Sequence, residues 1–160
     1  MNVVVEGADA GGKSTLCSIV SRALGVRVQQ GSGPPREPGE IERRASEYLK
    51  MSGVIFDRHP CVSQPVYGMM RKEPLSPEFL QLVDRFYAQG NLIVFCRSTS
   101  IERHEVKADE KADHVAALER NFGLVTLTYE VWAMQRAHVI YRIGDDTQRI
   151  VDICRVVLQP

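Results

Sequence analysis

The chain has 160 residues, 44% of them hydrophobic and 25% charged, the size and composition of one globular domain. That excludes a disordered chain, a collagen-like repeat and a disulfide-stapled miniprotein. The 20 Lys+Arg balance 20 Asp+Glu, so no overall positive field marks duplex nucleic acid or an anionic membrane as a partner. Apolar runs are too short to span a bilayer, and the opening MNVVVEGADAGGK lacks the basic stretch of a signal peptide. Cys17, Cys61, Cys96 and Cys154 are scattered with no C-x-x-C pair, which points to reduced core thiols of a cytoplasmic protein rather than a zinc site.

Short β-branched runs alternate with stretches of helical periodicity, the pattern of an α/β domain with a parallel five-stranded sheet spanning residues 1–160. Asn2–Glu6 reads as a strand buried on both faces. Leu16, Ile19, Val20, Ala23 and Leu24 mark the inner face of a helix closed by Gly25. A second strand is expected over Val26–Gln30, a helix over Glu40–Met51 with Ile41, Ala45, Tyr48 and Leu49 inward, and a third strand over Gly53–Asp57. Ser76 and Pro77 start a helix whose inner stripe is Phe79, Leu82, Val83, Phe86 and Tyr87, ended by Gly90. Asn91–Cys96 is the fourth strand. Residues 97–114 form a polar, lid-like excursion. A long helix follows with Val115, Leu118, Phe122, Val125, Tyr129 and Trp132 as a core stripe. Val139–Ile143 is the fifth strand, and Asp145 or Asp146 caps a last helix facing in with Ile150, Ile153, Cys154, Val157 and Leu158.

Directly after the first strand the chain reads Gly7-Ala8-Asp9-Ala10-Gly11-Gly12-Lys13-Ser14, a complete G-x-x-x-x-G-K-[ST]. Glycines at these places let successive backbone N–H groups turn toward phosphate oxygens, and the helix that follows aims its N-terminal dipole at the same anion. Lys13 is expected to reach the β- and γ-phosphates of ATP, and the Ser14 hydroxyl to ligate Mg²⁺. No N-K-x-D guanine motif is present, and the chain is short for a motor ATPase. A small kinase is the expected class.

Glu6-Gly7-Ala8-Asp9-Ala10-Gly11-Gly12-Lys13-Ser14-Thr15 resembles the E-G-x-D-x-x-G-K-[ST]-T signature of the thymidylate-kinase-like branch of P-loop nucleotide kinases. Asp57-Arg58-His59 resembles that family's D-R-[YH], and Arg36-Glu37-Pro38-Gly39 its R-E-P-G loop. The resemblance implies a sheet order 2-3-1-4-5 and a nucleotide cradle running from Gly7 to Thr15. It implies acceptor contacts from Asp9, Arg58, Ser63 and Gln64; Arg36 and Tyr67 are further acceptor candidates by charge and position, and Lys13, Asp57, Arg58 and Arg97 are the candidate catalytic residues. The segment between Gly39 and Asp57 is shorter than in thymidylate kinases, which is expected to leave the base side uncovered. The lid is reduced to Arg97, Arg103, Lys107 and Lys111. The segment from Asp57-Arg58-His59-Pro60 through Val66-Tyr67-Gly68 is similar to that of compact bacteriophage members such as the 5-hydroxymethyluracil DNA kinases. The implied reaction is transfer of the ATP γ-phosphate to the hydroxymethyl group of that base in phage DNA. A deoxynucleoside monophosphate such as dTMP is the alternative acceptor, and a nucleotide-binding regulator without turnover is a second alternative.

Several residues keep two readings. Asp57, at the end of a parallel strand, is a base, an Mg²⁺-associated carboxylate, or a simple ion-pair partner of Arg58. Arg97 closes over the transferring phosphates or is a solvated arginine, and Tyr67 stacks on an acceptor base or is structural. His59 reads as a turn residue, and His104 and His114 as solvated. Asp145, Asp146 and Thr147 lie where the family's adenine loop lies, or simply cap a helix. Arg36, Arg43, Arg44 and Arg71 are the expected contacts to a polynucleotide.

Overall fold

Val3, Val4 and Val5 are each essentially buried, and they divide between two cores by the period of two that a strand imposes. Val3 and Val5 join Ile55, Val94 and Cys96 in one core, while Val4 joins Phe56, Ile93 and Phe95 in the other. The sheet is therefore covered on both faces, which is why its strands read as continuous apolar runs. The computed structural model describes residues 1–31, 33–71, 74–98 and 112–159, with side chains left aside at 70, 71 and 112–119.

Eleven elements follow in order among these residues: β1 (Val3–Glu6), α1 (Lys13–Leu24), β2 (Val28–Gln30), α2 (Glu40–Tyr48), β3 (Ile55–Asp57), α3 (Pro60–Arg71), α4 (Pro77–Ala88), β4 (Leu92–Cys96), α5 (Ala112–Arg136), β5 (Val139–Tyr141) and α6 (Thr147–Leu158). All strand pairs are parallel, in the order β2-β3-β1-β4-β5. Residues of α1 and α6 line the first core, and α2, α3, α4 and α5 supply the second. The sheet turns outward in both directions from β1, so ligand chemistry is expected at the carboxyl ends of β1, β3 and β4.

Most expected elements are present with shorter ends. Ser76 caps α4 by accepting from the Phe79 N–H at 3.1 Å, and Asp146 caps α6 by accepting from Gln148 N–H at 2.9 Å. Asp145 instead accepts from Arg142 N–H at 2.7 Å, so both carboxylates serve the β5–α6 turn. Within α5, Val125 and Tyr129 are buried and Trp132 packs against the same core, but the opposite face carries exposed Leu124, Leu127, Val131 and Met134.

Two expectations need correction, and one helix was not anticipated. No helix is evident in the sequence over Pro60–Arg71, because Pro65 and Gly68 interrupt any regular pattern; yet α3 forms with Pro65 inside it. Burial of Cys61, Val62 and Val66 outweighs the ~3 kcal/mol that an interior proline costs. His59 is a core residue rather than a turn residue, 1% exposed and stacked on Phe86 with ring centroids 4.3 Å apart. Burial lowers its pKa to about 3. The expected excursion over 97–114 ends sooner, since residues 112–114 begin α5. Arg103, His104, Lys107 and Lys111 lie outside the described residues, as do the side chains of Arg71, His114, Val115 and Leu118.

Candidate active site

The loop after β1 lies directly against the end of β4. A Cβ on Gly7, whose φ is +144°, would sit 2.2 Å from the Cys96 carbonyl oxygen, and one on Gly11 would sit 2.7 Å from it. The backbone can approach this closely only where no side chain intervenes. Gly12 (φ 76°) is the N-cap of α1 and brings no side chain to its N–H groups, so the helix end is open to an anion. Lys13 is buried and its Nζ donates to the Ala8 carbonyl at 2.6 Å. Burial, reinforced by the Arg58 charge, lowers its pKa to about 8.

Strand parity then distributes the carboxylates. Asp57 shares the face of Ile55, toward α1, and its Oδ2 accepts from the Ser14 hydroxyl at 2.6 Å. Ser14 and Thr15 are exposed. A hydroxyl beside a carboxylate at an open helix start is a hard-oxygen pair, so these residues fit Mg²⁺, with Ser14 and Asp57 as the groups that would hold it. Glu6 shares the face of Val4 and is fully buried. Its Oε1 accepts from the His59 N–H at 2.5 Å and its Oε2 from the Tyr129 hydroxyl at 3.1 Å. Burial raises its pKa to about 7, opposed by the charges of Arg58 and Lys13 and by the two hydrogen bonds.

Arg58 follows β3 in the left-handed region, φ 72°, a conformation that costs a non-glycine residue of order 1 kcal/mol or more. Its N–H donates to the Val5 carbonyl at 3.0 Å. The guanidinium donates to Asp9 Oδ1 at 2.7 Å and to the Tyr129 hydroxyl at 3.1 Å, and its Cζ lies 5.2 Å from the Tyr67 ring centroid. The Tyr67 hydroxyl donates to Asp9 Oδ2 at 2.9 Å. Burial opposes the guanidinium charge, but Tyr67, Tyr129, Asp9 and Glu6 outweigh it and hold the Arg58 pKa well above its usual value. The expected Asp57–Arg58 pair is therefore replaced by Arg58–Asp9 and Ser14–Asp57, because the left-handed turn at Arg58 and the strand parity send the two side chains apart.

These groups border a cavity of about 260 Å³. Of the residues expected to contact the acceptor, Asp9, Arg58, Ser63, Gln64 and Tyr67 line it. Arg36 is not among the lining residues. Its side chain is exposed, and its backbone N–H donates to Glu40. Arg44 lines the cavity instead, paired with Glu40 and donating to the Gly33 carbonyl at 2.7 Å. Ile41 and Tyr48 join it, so the short segment after Gly39 does provide a wall on the side expected to be bare. One amphipathic helix, α2, suffices for this because its inward residues recur every three or four positions. Arg97 does not line the cavity. Its Nε and Nη2 donate to Glu130 at 2.7 and 2.5 Å, which raises its pKa.

Arg44 was expected as a polynucleotide contact and does line the cavity, whereas Glu6, Tyr129 and Glu130 were not expected at the site. Glu6 was legible in principle, since a carboxylate two residues after Val4 in a strand buried on both faces must be paired or protonated. Tyr129 was hidden by its membership of the α5 core stripe.

No family model matches the sequence, and no curated protein does. Solved structures are similar over nearly the whole chain. The YorR protein of Bacillus subtilis, in complex with phosphorylated GDP, has a TM-score of 0.71 at 20% identity, covering 98% of this chain and 95% of that one. Deoxyadenosine kinase from M. mycoides with bound dATP has a TM-score of 0.60 at 15% identity, covering 100% of both chains. Thymidylate kinase from Candida albicans has a TM-score of 0.56 at 17% identity, covering 97% of this chain and 91% of that one. At these identities the likeness is one of fold: a five-stranded parallel α/β sandwich, here with the order β2-β3-β1-β4-β5.

Proposed function

We propose that the protein is a P-loop kinase that transfers the γ-phosphoryl group of ATP to a hydroxyl of a thymidine-like acceptor, with the hydroxymethyl group of 5-hydroxymethyluracil in DNA as the preferred one. The observation that carries the reading is the state of the cavity arginines. Among the described residues, the two cations that line the cavity are both already paired, Arg58 with Asp9 and Arg44 with Glu40. A phosphate acceptor would need such cations, whereas an alcohol needs a positioned carboxylate to receive its proton. Asp9, which lines the cavity, supplies that carboxylate. Lys13 supports the charge on the β- and γ-phosphates, and bound Mg²⁺ would neutralise the phosphate oxygens when held by Ser14 and Asp57. The exposed Arg36 and Arg43 lie at the loop and helix that border the cavity, where phosphates flanking a presented base would run. ATP as donor and four unpaired cysteines agree with a cytoplasmic setting. Phage origin rests on the resemblance alone.

The second reading, a free deoxynucleoside monophosphate such as dTMP as acceptor, is favoured by the α2 wall, which gives a mononucleotide an enclosure to be oriented in. The two are separated by incubating the protein with labelled ATP and Mg²⁺ against dTMP, 5-hydroxymethyl-dUMP, and oligonucleotides carrying thymine or 5-hydroxymethyluracil. Label confined to the hydroxymethyluracil oligonucleotide supports the first reading, and conversion of dTMP to the diphosphate with no label on DNA overturns it. Lys13→Ala, melting within a few degrees of wild type, is expected to abolish transfer to whichever acceptor is used.

A further inference from the structure

We propose that Glu6 and Tyr129 are positioning residues, which hold the Arg58 guanidinium at the cavity through the chain Glu6–Tyr129–Arg58–Asp9. The proposal rests on the kinase reading for its effect on turnover. Its structural half stands on hydrogen-bond direction alone. Arginine can only donate, so at the 3.1 Å contact with Arg58 the Tyr129 oxygen must accept. The single hydroxyl proton of Tyr129 is then committed to Glu6 Oε2. Oε1 is committed as well, because the His59 N–H donates to it. Both oxygens of Glu6 are acceptors, and a proton on either one would face a donor. Only the ionised carboxylate satisfies the set, so the charge of Glu6 fixes the Tyr129 rotor, and that rotor fixes one arm of Arg58.

The other arm is fixed by Asp9, which Tyr67 orients from its second oxygen. Arg58 needs such restraint, because its left-handed backbone is held at a residue with a Cβ. Glu6 and Tyr129 do not line the cavity, which is why they act through Arg58 rather than on the acceptor. The titratable and charged groups around Glu6 are Arg58 after β3, Lys13 on α1, Tyr129 on α5, Tyr87 on α4 and Cys96 on β4. Burial brings Glu6 close to protonation near neutral pH, so the acid side of the activity profile reports on the same chain.

The test uses Tyr129→Phe and Glu6→Gln, each checked by thermal melting, with the full chain and the acceptor that proves active. Each variant is expected to lose about ten- to a hundredfold in kcat, the penalty for a slightly misplaced group, while KM for ATP stays within about twofold. Wild type is expected to lose activity as pH drops through about 7, and Glu6→Gln to abolish that fall. Nitrogen NMR supplies a readout free of activity. The Arg58 Nη groups, held from two sides, give separate signals in wild type and are expected to average in Tyr129→Phe. Folded variants with wild-type kcat overturn the proposal. If wild type transfers no phosphate to any acceptor, the kinase reading falls, and Arg58 signals unchanged in Tyr129→Phe then overturn the positioning role on their own.

Discussion

Glu6 and His59 are two buried titratable residues whose shifts run in opposite directions. His59 is neutral down to about pH 3 when folded against an ordinary 6.5, so the unfolded chain binds the extra proton and stability rises with pH through that window. Glu6 runs the other way, from an ordinary 4.5 to about 7 when folded. Between those values the folded chain binds the extra proton, and stability falls as pH rises. The two slopes oppose each other over the range they share. Comparing Glu6→Gln with wild type isolates Glu6, because the His59 contribution is common to both. The stability difference, variant minus wild type, is expected to grow with pH by up to ~1.4 kcal/mol per unit across the Glu6 window. Urea midpoints measured at half-unit steps check it, and a pH-independent difference contradicts a shifted Glu6.

At the scale of elements, the contact that matters most is between a loop and a strand. Gly7 and Gly11 let the phosphate loop rest on the last carbonyl of β4, so β4 sets the height of the loop above the sheet. Gly7→Ala puts a methyl group 2.2 Å from that oxygen at a φ of +144°, and backbone rather than a flexible side chain must give way. The variant is expected to lose roughly 2–4 kcal/mol of stability, and any folded fraction to bind ATP more weakly. Chemical denaturation and nucleotide titration on one preparation measure both. Wild-type stability would mean that the loop does not rest on β4. Element α5 matters in a second way: consecutive residues Tyr129 and Glu130 hold Arg58 and Arg97, so one turn of one helix serves two arginines expected to be catalytic.

For the whole molecule, charge is balanced at 20 against 20, and any polymer substrate must be gripped locally rather than drawn in by a global field. Transfer to an oligonucleotide is therefore expected to weaken with salt by a slope of about two to four on logarithmic axes, corresponding to a few phosphates. Initial rates at sub-saturating oligonucleotide between low and moderate salt measure that slope. A slope near that of an extended DNA-binding surface, about eight or more, would contradict a local grip, and no slope at all would remove Arg36 and Arg43 as phosphate contacts.

The sequence by itself determined the domain class, the positions of the five strands, the glycine-rich loop after β1 and part of the acidic and basic set near it, Asp9, Asp57 and Arg58. Each of these is a local signal: strand and helix periods, caps such as Ser76, and glycines at fixed offsets within a few residues. Even the two-sided burial of β1 and the inward aim of Glu6 are contained in the alternation of one short strand. The partners were decided only by tertiary structure. Ser14 meets Asp57 across 43 residues, Arg58 meets Asp9 across 49 and Tyr129 across 71, and Tyr129 meets Glu6 across 123. No local pattern encodes such pairings. They depend on which strands lie side by side and on the left-handed turn that aims Arg58 away from Asp57. Helix α3 belongs to the same class, since Pro65 and Gly68 argue locally against a helix and only burial against α2, α4 and α5 makes the helical form the lowest in free energy.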